Sequence, residues 1–193
     1  MSPAGLLLAA GAGSRLGTPK ALVHDATGSW LARATQALRE GGCDDVTVVL
    51  GAAADEALSL LDGLGVDVVI AGDWADGMSA SLLAGLRSLP AAADAAVVLL
   101  VDLPDVTAEV VRRVVAAGAG PDDLARATFE GRPGHPVLLG RDHWAGVTAT
   151  AAGDRGARDY LARTDVRLVE CGDLATGVDV DTFEPTGGQP RAE

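Results

Sequence analysis

The chain contains a single lysine, Lys20, and it closes a glycine-rich run: Gly11-Ala12-Gly13-Ser14-Arg15-Leu16-Gly17-Thr18-Pro19-Lys20. Small residues let a backbone come close to a ligand, and successive N–H groups can form a concavity that holds anions. Arg15 and Lys20 add two positive charges. Two common glycine loops are excluded by spacing. Gly11, Gly13 and Gly17 read G-x-G-x-x-x-G, whereas a dinucleotide fingerprint needs G-x-G-x-x-G and an acid about 20 residues beyond its strand. Leu50-Gly51 ends the second strand instead. A P-loop needs Gly-Lys-Ser/Thr, and here Lys20 follows Pro19. Either the run cradles a polyphosphate or it is a glycine-rich turn with solvated charges. Unit charges about 4 Å apart interact by about 4 kcal/mol at an effective dielectric of about 20. An acidic protein would therefore need both cations, and a metal, to hold a triphosphate here.

Carboxylates supply the complementary chemistry. The apolar run Val97–Val101 ends in Asp102-Leu103-Pro104-Asp105. An acid at the end of a buried strand is costly unless it is paired or metal-bound. Asp102 either meets turn amides or faces a ligand, and Asp105 reads as a cap of the next helix with Thr107. Near the end, Val178-Asp179-Val180-Asp181-Thr182 alternates, which places Asp179 and Asp181 on one side of an extended strand. With Asp102 they would suit a hard cation that prefers oxygen ligands; the other reading is an acidic, solvated edge. Ser79 and Ser81 stand at a helix start, the first as a candidate N-cap. His135 precedes Pro136, which disfavours the helical conformation before it. His24 and His143 read as structural.

These groups need a scaffold. Gly5–Ala10, Val46–Leu50, Val66–Ile70 and Ala95–Val101 are apolar runs of strand length, as buried parallel strands are. Between them, Trp30–Glu40, Ala53–Leu61 and Ser79–Leu89 are amphipathic. Such alternation predicts an α/β fold: one doubly wound, mostly parallel, Rossmann-like sheet with helices on both faces. The second half is less regular. Val106–Ala117 is a predicted helix, and Ala125–Glu130 with His135–Leu139 a hairpin-like pair. Ala157–Arg163 is a predicted short helix and Val166–Glu170 a late strand. The expected domain spans 1–184, with a disordered tail over 185–193. In such sheets ligands bind at the carboxyl ends of strands, where the Gly11–Lys20 loop and Asp102 both fall.

The 193 residues suffice for one good core. Hydrophobic residues make up 48% and charged residues 22%, which excludes wholesale disorder. Fifteen Lys+Arg against 27 Asp+Glu give −12, so a nucleic-acid partner, which needs a basic stripe, is not expected. No apolar run approaches the ~20 residues of a membrane span. Cys43 and Cys171 have no metal-ligand spacing, and a cytoplasmic protein with reduced thiols is expected.

Leu8-Ala9-Ala10-Gly-x-Gly-x-Arg-x-Gly-x-Pro-Lys resembles the signature of the MobA-like nucleotidyltransferases, which include molybdenum cofactor cytidylyltransferases and their guanylyltransferase relatives. The resemblance continues through Asp102-Leu103-Pro104, Asp73-Trp74-Ala75-Asp76-Gly77-Met78-Ser79-Ala80-Ser81-Leu82, Gly131-Arg132-Pro133-Gly134-His135-Pro136-Val137, Gly153-Asp154-Arg155-Gly156-Ala157-Arg158 and Asp179-Val180-Asp181-Thr182. It implies a GT-A-like fold and Mg²⁺-dependent transfer of CMP from CTP to the phosphate of a molybdenum-pterin cofactor, releasing pyrophosphate. It also implies roles. Leu8, Ala9, Ala10, Gly11, Gly13, Arg15, Lys20 and Ser81 would bind the nucleotide, and Arg15, Lys20 and Asp102 would be catalytic. Asp102 and Asp181 would hold Mg²⁺, and His135 and Arg155 would face the acceptor. The recipient molybdenum enzyme is a further implied partner. Guanylyl relatives read Leu-Ala-Gly-Gly where this chain has Ala9-Ala10-Gly11, which favours CTP over GTP. The other readings are transfer from GTP, another small-molecule cytidylyltransferase, and a non-catalytic cofactor carrier or chaperone.

Overall fold

The computed structural model describes residues 2–180. Asp181 and the tail expected from Pro185 lie outside the described residues. The elements run β1 (Ala4–Ala9), β2 (His24–Asp25), β3 (Gly28–Ser29), α1 (Trp30–Glu40), β4 (Val46–Leu50), α2 (Ala54–Leu58), β5 (Asp67–Ile70), α3 (Met78–Ser88) and β6 (Ala95–Leu100). They continue with α4 (Ala108–Val115), β7 (Leu124–Phe129), β8 (Arg132–Gly140), α5 (Arg141–Thr150), α6 (Arg158–Leu161) and β9 (Arg167–Glu170).

Seven strands form one sheet in the order β5-β4-β1-β6-β8-β7-β9. β1 runs parallel to β4 and β6, and β5 parallel to β4. β8 is antiparallel to both β6 and β7, and β9 returns parallel to β7. The sheet is thus mixed but mostly parallel, an α/β architecture as expected. The expected hairpin over 125–139 is built into the sheet as β7 and β8, with β8 wedged against β6.

Alternation along the strands explains why both faces are covered. Leu7, Ala9, Val48, Leu50, Val97 and Leu99 enter one core, packed with Leu31, Leu38, Val110 and Val114 from α1 and α4. Leu6, Leu8, Val49 and Val98 enter the other, with Leu82 and Leu86 from α3 and Val147 from α5. A strand buried on both faces has no solvated side, hence the continuous apolar runs. Each fully buried Leu or Val contributes roughly 1.5–3 kcal/mol from water exclusion. The two sheet edges are treated differently: β5 carries exposed Asp67, and β9 exposed Arg167 and Glu170, charges that discourage further strand pairing.

The connection from β1 to α1 is long because it carries the glycine loop and the β2–β3 hairpin. Asp25 ties that hairpin down, accepting from the amide and hydroxyl of Thr27, from Trp30 Nε1 at 2.7 Å, and from both Arg33 guanidinium nitrogens at 2.8 and 2.7 Å. The Arg33 bonds chiefly hold the Asp25 carboxyl well below the usual carboxylate range. Ser29 then caps α1, its Oγ accepting from Ala32 N at 3.3 Å. Cys43 and Cys171 are free and buried. No helix among the described residues is long and apolar enough to cross a membrane.

Candidate active site

Two adjoining clefts open at the carboxyl ends of β1 and β6. The smaller, about 340 Å³, is bounded by Ala10, Gly11, Ala12, Trp74, Gly77 and Ser81. The larger, about 580 Å³, is bounded by Gly13, Ser14, Arg15, His135, Arg155 and Asp179, among others. Both clefts share Leu8, Lys20, Met78, Leu100, Asp102 and Asp154. Lys20 and Asp102 therefore stand where the two spaces meet.

The loop that delivers Lys20 is folded by its glycines. Gly13 takes φ +59°, in the left-handed region where a side chain is strained, and Gly17 takes φ +74°. Gly17 N donates to Gly13 O at 2.9 Å, and Lys20 N to Gly11 O at 3.2 Å, which closes the loop on itself. The N–H groups of Ala12, Gly13 and Ser14 take no acceptor within the described residues. Lys20 Nζ donates to Asp102 Oδ2 as a close ion pair. Asp102 is buried, and its other oxygen, Oδ1, has no hydrogen-bond partner within the described residues. A buried carboxylate oxygen left without a donor is costly unless a ligand or cation meets it. Among the described residues no three His, Cys, Asp or Glu side chains cluster as a metal group. Asp102 and Asp179 nevertheless line one cleft, and two carboxylates there suit a hard cation that completes its shell with ligand oxygens.

Asp105 has a different job from the cap expected of it. Its Oδ2 accepts from the amide and hydroxyl of Thr176, each at 2.6 Å, and from Gly177 N at 3.2 Å. α4 is instead preceded by Thr107, without a side-chain cap. Asp105 thus pins the segment that leads to Asp179, and Val180 N donates to Asp102 O at 3.0 Å. Residues 178–180 lie beside Asp102 but form no strand, because a side-chain clamp and a single main-chain bond replace a ladder. Asp181 lies outside the described residues.

The helix start expected at Ser79 is one turn position off. Gly77, at φ +109°, precedes α3, and Ser79 is buried within the helix with its hydroxyl unpartnered. A Cβ on Gly77 would lie 2.6 Å from Gly153 C and from Asp154 Oδ1. That close approach fixes the Gly153–Arg155 turn, and with it Asp154, against the mouth of both clefts. Ser81 lines the smaller cleft. Ala9 does not line either cleft. Alternation along β1 sends Leu8 toward the site and Ala9 into the opposite core.

On the far wall, His135 follows the β7–β8 turn and lines the larger cleft; the His135–Pro136 bond is cis. Burial, and then the charge of Arg126, push the His135 pKa down to about 4, so the imidazole is neutral at physiological pH. Arg155 lines the same cleft and pairs with Asp159 at 3.1 Å. Sequence reasoning missed Arg126 and Arg158, which also line this wall. The signal for Arg126 was legible: a charge inside the otherwise apolar Leu124-Ala125-Arg126-Ala127-Thr128-Phe129 strand. Arg158 gave none beyond its place in the Gly153–Arg158 block.

Glu170 braces the turn that carries His135. Its carboxylate accepts from Thr128 Oγ1 at 2.7 Å and from the amides of Glu130, Gly131 and Gly172 at 2.8, 3.2 and 2.9 Å. The Thr128 bond first, then the three amides, hold its pKa at about 2, against 4.5 unperturbed. A depressed folded-state pKa adds stability above the unfolded value that is lost as pH falls through the folded one. The stability gap between wild type and Glu170→Gln is therefore expected to be constant above about pH 5 and to close between 4.5 and 2. Denaturant titrations at neutral pH and at about pH 3 check this; an equal gap at both excludes the brace.

The site thus sets a glycine loop after β1 and a cation–carboxylate pair at the carboxyl ends of a mostly parallel sheet. A family model for the MobA-like NTP transferase domain matches residues 5–168, and the chain belongs to that family. It is 36% identical over 190 residues to nicotine blue oxidoreductase of Paenarthrobacter nicotinovorans, covering 93% of this chain and 92% of that one. The crystal structure of Rv0371c from Mycobacterium tuberculosis H37Rv superposes with a TM-score of 0.79 at 28% identity, covering 94% of each chain. The same protein in complex with manganese gives 0.76 at 26% identity, covering 93% of this chain and 94% of that one.

Proposed function

We propose that this chain is a divalent-metal-dependent nucleotidyltransferase that moves CMP from CTP onto the phosphate of a pterin-type molybdenum cofactor. The observation that carries the reading is the meeting of the two clefts at one lysine and one buried carboxylate with an unpartnered oxygen. Transfer between two bound molecules needs two adjoining pockets and a charged group at their junction. The nucleoside takes the smaller cleft, against Ala10, Trp74 and Ser81. The Gly11–Lys20 loop takes the triphosphate, with Arg15, Lys20 and the N–H groups of Ala12 to Ser14 as its donors. An acceptor phosphate oxygen forms a bond to the α-phosphorus, and pyrophosphate leaves with the electrons of the broken bond. The nucleophile is already anionic, so no general base is required, and catalysis is positioning plus charge stabilisation.

Asp102, with Asp181 from beyond the described residues, would hold Mg²⁺. The cation, when bound, offsets phosphate charge and orients the α-phosphate. The manganese complex of the Mycobacterium relative supports a divalent ion in this family. Ala10 supports CTP, since its methyl narrows a cleft already bounded by Trp74, a discrimination worth only a few kcal/mol.

A second reading has its own observation. The Paenarthrobacter relative carries the name of an oxidoreductase, so the same clefts could serve electron transfer to a planar acceptor. The Gly11–Gly17 spacing, which departs from the dinucleotide fingerprint, weighs against it. One assay separates the two. Purified protein is supplied with CTP, Mg²⁺ and the reduced pterin cofactor, and pyrophosphate is measured. A parallel sample receives NADH or NADPH and a quinone-like dye. Acceptor-dependent pyrophosphate release supports the transferase. Nicotinamide oxidation without pyrophosphate release overturns it in favour of the oxidoreductase.

A further inference from the structure

The chain carries a net charge of −12, yet the far wall of the larger cleft is basic, with Arg126 from β7 and Arg158 at the start of α6 both lining it. Among the described residues the acids of that cleft are Asp102, Asp154 and Asp179; Asp102 pairs with Lys20, and Asp154 also borders the smaller cleft. Neither Arg126 nor Arg158 forms an ion pair with any carboxylate among the described residues. Among the described residues Arg126 makes one side-chain bond, from Nη2 to Gly134 O at 3.3 Å, and its Nε is buried with no acceptor. Burial, and then the charge of Arg158, both disfavour its charged form. A half-buried guanidinium beside a second one, with a donor left over, costs stability in the free protein. The planar fork of donors matches an oxyanion, which would satisfy the orphaned donor and the paired charges together.

We propose that Arg126 and Arg158 form an oxyanion subsite that holds a negatively charged group at the end of the acceptor remote from the reacting phosphate. The subsite rests on the reading of this cleft as the acceptor site and deepens it. β7 lies two strands from β6 in the sheet, roughly 10 Å across. The group bound there is therefore separate from the atom that reacts beside Lys20 and Asp102. His135, neutral and on the same wall, contributes a hydrogen bond rather than charge.

The test is calorimetric titration of inorganic phosphate, and separately of acetate, into the intact protein, both saturated with CTP and Mg²⁺ and nucleotide-free. Wild type is compared with Arg126→Gln, Arg158→Gln and the double variant. Each single change is expected to weaken phosphate binding severalfold and the double change at least tenfold, with CTP affinity held within twofold. In chloride buffer without phosphate, Arg126→Gln is expected to raise the melting temperature, because it removes a half-buried guanidinium whose Nε has no acceptor among the described residues. With CTP and Mg²⁺ occupying the glycine loop, phosphate should then stabilise wild type and leave the double variant unmoved. The oxyanion whose affinity the double variant loses, phosphate or acetate, names the class of group bound. Unchanged affinity for both in the double variant overturns the subsite, as does a lowered melting temperature of Arg126→Gln with intact phosphate binding. If wild type fails to bind CTP, the transferase reading falls, while the nucleotide-free titration still decides the subsite.

Discussion

Asp102→Ala is expected to fold normally and to lose turnover by roughly 10³-fold or more, the scale on which losing a charge-stabilising group acts. The side chain is buried, pairs with Lys20 through one oxygen, and leaves the other without a partner among the described residues. Lys20 is partly exposed and borders both clefts, so water reaches the charge that the substitution leaves unpaired and limits the cost to the fold. Its removal therefore costs the chemistry more than the fold. The main-chain bond from Val180 N to Asp102 O does not depend on the side chain, so the neighbouring segment should stay in place. Asp102→Asn sharpens the experiment by keeping the shape and removing only the charge. Turnover with saturating CTP and Mg²⁺, alongside circular dichroism, is the measurement. Wild-type turnover in either variant would remove Asp102 from the mechanism.

Gly13→Ala should be nearly as damaging, by a different route. At φ +59° a side chain is already strained, and the new Cβ would lie 1.9 Å from the carbonyl oxygen of Thr18. Backbone cannot yield there without opening the turn that delivers Lys20, since Lys20 N is bonded to Gly11 O. The expected outcome is a rise of at least tenfold in KM for the nucleotide and a stability loss of about 1–3 kcal/mol, typical of overpacking. Gly11→Ala is the contrast. Gly11 has no positive φ, and a Cβ there meets nothing within 4 Å. Its stability should stay within about 0.5 kcal/mol of wild type. Equal melting temperatures for all three proteins would show that the loop is not built as described.

The scaffold was legible because parallel strands buried on both faces leave an unambiguous trace. The four apolar runs became β1, β4, β5 and β6 with boundaries shifted by a residue or so. α5 was not foreseen: Arg141–Thr150 has only Val147 fully buried and so little apolar periodicity. The antiparallel placement of β8 was equally hidden, since a hairpin sequence does not say which strand it will lie against. At the site, Lys20, Asp102 and the glycine loop stood out through residue type and spacing. Asp105 did not, because its partners Thr176 and Gly177 lie 71 and 72 residues away along the chain. Ala9 was assigned to the site with its neighbours Leu8 and Ala10, although strand alternation turns it away. Arg126 left a local trace as the charge within β7, but its meeting with Arg158 depends on the return of β7 and the docking of α6, which no local pattern shows.

The central claim is that the junction of the two clefts binds a cytidine triphosphate together with a divalent cation. Thermal unfolding in the presence of CTP, GTP, ATP, UTP or NADH, each with and without Mg²⁺ or Mn²⁺, tests it most directly. A ligand at about 100 times its dissociation constant adds about 2.7 kcal/mol, which moves the melting temperature by a few degrees. Stabilisation by CTP that requires the metal and disappears in Asp102→Asn is the expected result. Stabilisation by NADH alone, or no response to any triphosphate with either metal, would contradict it.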